Sequence, residues 1–585
     1  MTNSSPEEAL DLLESRMQST FGMGHDDFDR KRSRGPASMA YLNMAARIVD
    51  TSGVVPQLEE WRATKVKSAA GRKADIPFRA ILILFLLHVQ TGHGVNYNAI
   101  ARTLDVRFKA KHFDLLGIND NPGDRMDWYK RLWSNVDRMM KYIDPYPSPR
   151  NKKLKPKKYA KLMAKATSEE GLKKAEAKMK RLDWVCEQLL HTSVRMLPKE
   201  FLDRSHGNGA MDATLIETTG RPNPKDLTRT RGNADPFSGR YRRQGSHDGQ
   251  GAKTDKAGYE FETLVLVWNK PFESMLFPSL ITAVGFHRPG ELRGHGLKLI
   301  QSHQRLGFTG ALVLCDRAYN NGDVNDFHIP VRLLGCELVI DYKKTNLGLQ
   351  SSHEDLILVE GNWYVTWMPE DLINATISYR TRVKDPDTGK TKRLIDKEKY
   401  LSLLAARRAY RLTPKGKPDK DGYQRFIYPT PGYMAVDRAT GKRVAKPKTA
   451  ATITIPIDAG LSKGRSSKAQ ALAIKHWQKF AYKSPEHKAI YGMRSLVESS
   501  NKTLKGKNYE KLGHTESRSG RGFAFNYLVA TLAAVSSNLR KIHDFYAKLA
   551  ERDLGGPIPR QRRRKTAAGV PLTPASSPAA LAPPR

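Results

Sequence analysis

The sequence predicts a mixed α/β protein with an all-α region on its amino-terminal side and a β-rich insertion further along. Helical periodicity dominates the first 200 residues, strand-like runs follow, and helical periodicity returns towards the carboxyl end. The strand-like runs first come three in succession and then two separated by helical segments. Successive strands favour antiparallel pairing and helix-connected strands favour parallel pairing, so we expect one mixed sheet.

The overall charge indicates a polyanionic partner. The 585 residues include 99 Lys and Arg against 60 Asp and Glu, which gives a formal net charge of +39. A charge of this size favours nucleic acid or an anionic membrane surface and excludes an ordinary acidic or neutral metabolic enzyme as the default. Nucleic acid is the favoured partner, and a basic soluble protein of the ribosomal kind is the alternative.

The cysteines and the apolar segments exclude two further classes. Cys186, Cys315 and Cys336 are too few for a disulfide scaffold and lack zinc-site spacing, so we expect reduced, buried side chains. The most apolar run, at 76–90, is shorter than the about 20 residues of a membrane span, and residues 1–17 contain no apolar signal-peptide core. We therefore expect a soluble protein of the bacterial cytoplasm, where the DNA lies, with no membrane partner.

The first predicted region, 1–200, is helical. Asp75 is the expected cap of the helix at 76–90, and Pro77 suits its first turn. A glycine-containing turn and a second short helix over 96–108 follow. This order resembles a helix-turn-helix DNA-binding unit, although a helical hairpin without DNA contacts has the same pattern.

Two further features complete this region. The lysine-rich run 150–165 is either a solvated linker or a segment that contacts phosphates. A long helix is predicted from Ser168, a residue typical of helix N-caps, to about Leu197.

The next region, 201–342, supplies the mixed sheet. Its predicted elements are, in order, strands at 210–218, 260–268 and 275–286, a helix at 291–306, a strand at 311–316, a helix at 321–335 and a strand at 336–342. The basic loop 221–256 is either a surface insert or a phosphate-contacting loop. His247 lies in this loop and His287 follows the third strand, and neither histidine is given a role.

The carboxyl-terminal half is divided into three regions. Strand-like runs separated by turns rich in Lys, Asp, Gly and Pro predict a β-rich insertion at 343–475. The region 476–550 is predicted to be helical and to complete the core. The tail 551–585, which is rich in Pro and Ala and contains RQRRRK, is predicted to be disordered.

Two aspartates occupy strand positions where a carboxylate is costly. Asp212 lies inside a predicted strand and Asp316 ends another, and a buried carboxylate needs an ion pair or a metal ion. Together with Glu498 on a later predicted helix, they supply the oxygen ligands that Mg²⁺ prefers. Such a site can hold two ions about 3.5–4 Å apart, which activate the attacking oxygen and stabilise the leaving oxygen of a phosphodiester displacement.

The later helix, predicted to be continuous over 487–505, presents polar residues on one face. At about 100° per residue, this face contains Tyr491, Arg494, Glu498 and Lys505, and the opposite face contains Met493, Leu496, Val497 and Leu504. An exposed Arg494–Glu498 ion pair, worth about 0.3–0.5 kcal/mol, explains part of the spacing equally well.

These motifs together resemble a known family. Tyr491-x2-Arg494-x3-Glu498-x6-Lys505 matches, without a gap, the Tyr-Arg-Glu-Lys signature of a large group of bacterial insertion-sequence transposases. Asp212 in MDAT and Asp316 in LCDRAY are similar to the two catalytic aspartates of that family, although members often have Gly where this chain has Ala318. The resemblance covers about residues 205–545 and implies a ribonuclease-H-like core with a β-rich insertion before the catalytic helix.

The resemblance also implies roles for single residues. Asp212, Asp316 and Glu498 would be catalytic and bind two Mg²⁺ or Mn²⁺ ions. Tyr491, Arg494 and Lys505 would hold DNA, as suits a bidentate guanidinium and a point-charge ammonium. Trp477, just upstream, is either a core residue, which is the favoured interpretation, or a platform for an extruded base.

The implied activity is metal-dependent cutting at the ends of a mobile element and joining of the 3′-OH to target DNA. The implied partners are double-stranded DNA, as inverted ends and as target, and a second copy of the chain in a homodimer. A nuclease without strand transfer and an inactive relative that represses through DNA binding are the alternatives.

Overall fold

The computed structural model describes residues 6–29, 37–65, 74–119, 121–147, 149, 152–223, 232–244, 253–271, 273–291, 294–320, 322–387, 389–429, 451–459, 473–518 and 522–553. These residues form a mixed α/β structure with one mixed sheet and several small sheets. His247 and the predicted tail beyond residue 553 lie outside the described residues.

The amino-terminal region is helical, as predicted. Its α-helices are α1 (Pro6–Phe21), α2 (His25–Asp29), α3 (Met39–Thr51), α4 (Val54–Ala63), α5 (Phe78–Gln90), α6 (Tyr97–Arg102), α7 (Ala110–Leu116), α8 (Arg125–Ile143), α9 (Pro156–Thr167), α10 (Glu169–Arg195) and α11 (Lys199–Leu202). Every residue of α5 except Arg79 is buried, because its sequence is apolar on all faces. This confirms the predicted core helix, but Pro77 rather than Asp75 occupies its N-cap position.

The two helices of the helix-turn-helix candidate are present as α5 and α6. Asn96 caps α6, since its side-chain oxygen accepts a hydrogen bond from the Asn98 amide at 2.9 Å. A π-helical turn, Thr103–Arg107, extends α6. Contact of this unit with DNA stays a prediction.

The lysine-rich run is helical from Pro156 onward. This part forms α9, none of whose residues is buried, which agrees with a solvated segment, and its contact with phosphates stays a prediction. The predicted long helix is confirmed as α10, because the Ser168 hydroxyl accepts a hydrogen bond from the Gly171 amide at 3.1 Å and caps it.

The mixed sheet is built from residues 209–340. Its elements are β1 (Gly209–Glu217), β2 (Gly239–Gln244), β3 (Lys253–Leu266), β4 (Ile281–His287), α12 (His295–Arg305), β5 (Leu312–Cys315), α13 (Arg317–Asn320), a π-helical turn (Val324–His328), α14 (Ile329–Leu333) and β6 (Glu337–Ile340). The central strand β1 pairs antiparallel with β3 and parallel with β5. On the outer sides, β3 pairs antiparallel with β2 and β4, and β5 pairs parallel with β6. The predicted mixed sheet is confirmed.

Two predictions in this region were wrong in detail. The loop predicted at 221–256 contains the edge strand β2, where Arg240 pairs with Asp255 of β3 at 2.7 Å across the ladder. The strand predicted at 275–286 is shorter, because β4 begins only at Ile281. The preceding apolar run includes Pro278, which has no amide hydrogen to give to a sheet.

The insertion contains short strands in three small sheets and also helices. Its elements are β7 (Leu349–His353), β8 (Leu356–Val359), β9 (Asn362–Val365), α15 (Glu370–Ile373), α16 (Ala375–Arg380), β10 (Arg382–Lys384), β11 (Thr391–Arg393), α17 (Lys397–Ala406), β12 (Thr413–Pro414), β13 (Gln424–Ile427) and β14 (Thr452–Ile455). One of the strand-like runs that predict this β-rich insertion, 375–383, is helical over α16, so the expectation of a strand there was wrong. The buried Thr376 hydroxyl donates to Glu360 at 2.7 Å, and this tertiary contact outweighs local β propensity.

The carboxyl-terminal part returns to helices, as predicted. They are α18 (Ala473–His476), α19 (Pro485–Gly492), α20 (Ser495–Lys505) and α21 (Phe523–Asp553). The long α21 is mostly buried and packs against α1, α5, α10 and β4, so one hydrophobic core joins the amino-terminal helices to the sheet. Among the described residues, no helix is both long and apolar enough to cross a membrane.

Candidate active site

Asp212 and Asp316 occupy matching positions on neighbouring strands. Gly209 of β1 pairs with Val313 of β5, and Ala210 pairs with Leu314. Continuing this parallel register brings Asp212, within β1, beside Asp316, the first residue after β5. Neighbouring strands lie only about 4.8 Å apart, so the sheet itself brings the two predicted carboxylates together.

The third carboxylate is on α20, which packs against β1 and β3. The helix expected to be continuous over 487–505 is broken, because α19 ends at Gly492 and α20 begins at Ser495. At the junction the Arg494 amide donates to the Tyr491 carbonyl at 3.0 Å, which is a tighter, three-residue turn. Gly492 has low helix propensity and explains the break.

The guanidinium of Arg494 lies among all three predicted acids. Its Nη2 atom is 2.8 Å from Asp212 Oδ1 and 3.9 Å from Asp316 Oδ2, and its Nη1 atom donates to Glu498. The exposed fraction of the acidic side chains rises from 20% at Asp212 through 36% at Asp316 to 55% at Glu498. The site therefore opens towards solvent on the Glu498 side.

The charges of the site perturb two of its members. Burial raises the pKa of Asp212, and the negative charges of Asp316 and Glu498 raise it further, against the opposing influence of Arg494. Burial alone would lower the pKa of Arg494, but the surrounding carboxylates outweigh it, so this pKa is raised. Arg494 is thus the counter-cation of a crowded acidic cluster, rather than half of an isolated surface pair.

Asn501 is a site residue that the sequence analysis missed. Its side-chain amide donates to Asp212 Oδ2 at 3.0 Å, and its oxygen accepts from the Thr263 hydroxyl of β3 at 3.2 Å. Asn501 follows Glu498 by three positions on α20, so helical spacing was the available signal. This bridge holds α20 in place over the two strands.

The sequence analysis also missed a buried cluster near Asp316, formed by Glu262, Tyr319 and His287. Glu262 on β3 has no exposed surface, accepts a hydrogen bond from the Tyr319 hydroxyl at 3.0 Å and lies 3.6 Å from Nε2 of His287. Tyr319 is on α13, the short helix after Asp316, where the Ala318 amide donates to Asp316 at 2.8 Å. The cluster therefore supports the segment that carries the second aspartate.

The remaining predicted residues surround the cluster. Tyr491 is half-buried and stacks on His487, with ring centroids 5.5 Å apart. Lys505, at the end of α20, is half-buried, and its pKa is lowered by burial and by the nearby Lys256, against the influence of Glu217. Trp477 packs in the insertion, with its ring 5.6 Å from that of Phe426, in agreement with a core residue.

The donor chemistry of the site suits a divalent cation. Within the described part of the chain, no group of three or more His, Cys, Asp or Glu side chains stands in a metal-binding arrangement. Around Arg494, however, three carboxylates already surround one cation, and carboxylate oxygens are the ligands that Mg²⁺ and Mn²⁺ prefer. Metal binding by all three would require the guanidinium to move out from between them.

Comparison of the chain with protein-family models and with curated protein sequences finds no match.

Proposed function

We propose that this chain is a DNA transposase of a bacterial insertion sequence with a ribonuclease-H-like core. The strand order supports this fold, since a central strand is flanked by antiparallel partners on one side and parallel ones on the other. The position of the insertion, after β6 and before α19 and α20, agrees with the transposase resemblance.

The convergence of Asp212, Asp316 and Glu498 on Arg494 is the observation that carries the proposal. These three carboxylates would hold the divalent ions. When bound, two such ions would activate the attacking oxygen and stabilise the leaving oxygen during phosphodiester cleavage and 3′-OH joining. Asn501 and Thr263 keep Asp212 oriented, and Tyr319 supports the segment of Asp316.

The partner in this proposal is double-stranded DNA, both the inverted ends of the element and the target. Tyr491, Lys505 and a displaced Arg494 would contact phosphates, and the net charge of +39 favours such binding. Two ends must be paired, so we propose a homodimer in the end complex. The reaction would take place with the chromosomal DNA in the bacterial cytoplasm.

Cleavage and joining assays that compare the wild-type protein with Asp316→Asn test the proposal. The substrate is linear DNA carrying the sequences that flank the gene, incubated with Mg²⁺ or with a chelator. We expect the wild-type protein to nick the ends and join the 3′-OH to a target plasmid only with the metal, and Asp316→Asn to bind the ends but not cut them. Asp387→Asn, which alters an exposed aspartate of the insertion, is the matched control.

Each alternative predicts a different result. Metal-dependent nicking without joining would identify a nuclease, and end binding without any cutting by the wild-type protein would identify a repressor. Cutting that survives Asp316→Asn would contradict the proposed site.

A further inference from the structure

A cationic pocket lies between the insertion and α19. The cavity has a volume of about 200 Å³ and is lined by eight residues, four of them cations and none of them acidic. The cations are Arg380 at the end of α16, Lys397 at the start of α17, Lys483 just before α19 and Lys488 near the start of α19. None of these residues belongs to the carboxylate site.

The positive charge of this pocket is poorly compensated. Among the described residues, no carboxylate forms a salt bridge with Arg380, Lys397 or Lys488. Lys483 lies 3.6 Å from Asp341, but Asp341 also pairs with Arg317 at 2.8 Å. Burial and the charges of Lys483 and Lys397 lower the pKa of Lys488, as expected where ammonium groups repel one another.

One wall of the pocket is aromatic. The rings of Tyr379 and Tyr400 stack with centroids 4.3 Å apart and an interplanar angle of 4°. Arg393 lies 4.1 Å from the centroid of the Tyr379 ring and donates to the Tyr379 carbonyl at 2.9 Å. Arg393 therefore holds Tyr379 in place beside the cations.

We propose that this pocket binds a phosphate group. Several ammonium and guanidinium donors around one cavity provide charge and hydrogen bonds for a compact, multiply charged oxyanion, and binding relieves their mutual repulsion. Lys488 precedes Tyr491 by three residues on α19, so this lysine lies about one helical turn from the tyrosine proposed to contact DNA. The expected source is a backbone phosphate of the DNA, an assignment that rests on the proposed function, and free phosphate is the other source.

The test compares Lys397→Gln/Lys488→Gln with Lys417→Gln/Lys420→Gln in the full chain. The control also removes two exposed lysines of the insertion, but these two lysines do not line the cavity. One probe is inorganic phosphate, titrated by calorimetry. The other is a DNA duplex, whose affinity is measured over a range of salt concentrations.

For the duplex, loss of one phosphate contact should flatten the slope of log affinity against log salt by about 0.9 relative to the control. For inorganic phosphate, we expect saturable binding to the wild type and the control, and binding to the pocket variant, which lacks two of the donors, that is weaker by about tenfold or more. If the pocket variant differs from the control only in its affinity for the duplex, the source of the phosphate is the DNA backbone. If it differs only in its affinity for inorganic phosphate, the source is the free ion. If the pocket variant matches the control with both probes, the proposal is wrong.

The result can be separated from that of the proposed function. Asp316→Asn should keep phosphate binding in the pocket while losing cleavage. If the wild type cleaves DNA but the pocket variant binds both probes as the control does, only the proposal of a phosphate pocket is wrong. If the pocket binds phosphate but the wild type does not cleave DNA, only the proposal of a transposase is wrong.

Discussion

Asp212 and Asp316 lie side by side on neighbouring parallel strands, and both carboxylates approach the same nitrogen of Arg494, at 2.8 and 3.9 Å. Arg494 is therefore enclosed by acids, with only 11% of its side chain exposed. The sheet fixes Asp212 and Asp316, which form the rigid half of the site. The other half, Glu498, depends on the docking of α20 against the sheet.

Replacing Arg494 should make the protein depend on divalent cations for stability. Arg494→Gln leaves the partly buried carboxylates without their cation and should cost about 1–3 kcal/mol of unfolding free energy without metal. Added Mn²⁺ would replace the lost charge, so the rise in Tm with Mn²⁺ should be larger for this variant than for the wild type. The Asp212→Asn/Arg494→Gln double variant serves as control and should respond less; an equal response in all three proteins would argue against a shared carboxylate site.

Glu498 and Lys505 should separate chemistry from binding. Glu498→Gln should lose cleavage while retaining end binding, because it removes a proposed metal ligand from an exposed position. Lys505→Ala should weaken the end complex, flatten its salt slope by about one and leave residual metal-dependent cleavage at excess DNA. Separate gel-shift and nicking assays on both variants provide the measurement. Full cleavage by both would remove α20 from the active site.

Tyr319→Phe should destabilise the protein and impair cleavage. The lost hydroxyl is a hydrogen-bond donor to the fully buried Glu262, and leaving a buried carboxylate without that donor costs about 1–3 kcal/mol. Urea denaturation measures the change, with the exposed Tyr423→Phe as a control that should stay within about 0.5 kcal/mol. A variant as stable and as active as the control would mean that the cluster does not support Asp316.

His287 should make stability depend on pH. Burial lowers its pKa, but the neighbouring Glu262 and Glu260 outweigh burial, so its pKa is raised above the ordinary 6.5. A raised pKa means that the folded protein binds the proton more tightly than the unfolded chain does. The stabilisation is complete below about pH 6.5 and disappears as the pH rises through the folded-state pKa.

The difference in unfolding free energy between the wild type and His287→Gln should therefore shrink as the pH rises from 6 to the alkaline side of neutrality. Chemical denaturation of both proteins at a series of pH values measures it. A difference that is constant with pH would show that His287 stays neutral.

Local sequence patterns predicted the rigid half of the site better than its surroundings. Asp212 and Asp316 could be identified because a carboxylate in an otherwise apolar strand stands out. Asn501 and Glu262 could not, since a helical asparagine and an alternating strand glutamate are common on solvated faces. Their roles arise from contacts across more than 50 residues of chain, 289 positions for Asn501 and Asp212 and 57 for Tyr319 and Glu262.

The errors in the prediction of the fold also have physical origins. The charged edge strand β2 lacks apolar alternation, and its residue Arg240 is instead paired with Asp255 of β3. The break between α19 and α20 lies at a single glycine, which helical periodicity does not register. Helix α16 carries β-branched residues and is determined by a buried contact to Glu360. In β2 and α16 a long-range contact outweighs the local preference, whereas the break after α19 follows from the low helix propensity of Gly492.

The bond between Arg494 and Asp212 spans 282 positions, and this has a consequence in time during synthesis. At about 5–20 residues per second, a ribosome takes about 10 to 40 seconds to pass from the second aspartate, Asp316, to Arg494 and Glu498. Throughout that interval the nascent chain carries two adjacent aspartates with neither their counter-cation nor the third acid. The carboxylate cluster therefore assembles only after α20 has left the translation machinery, and fragments that end within the insertion lack both Arg494 and Glu498.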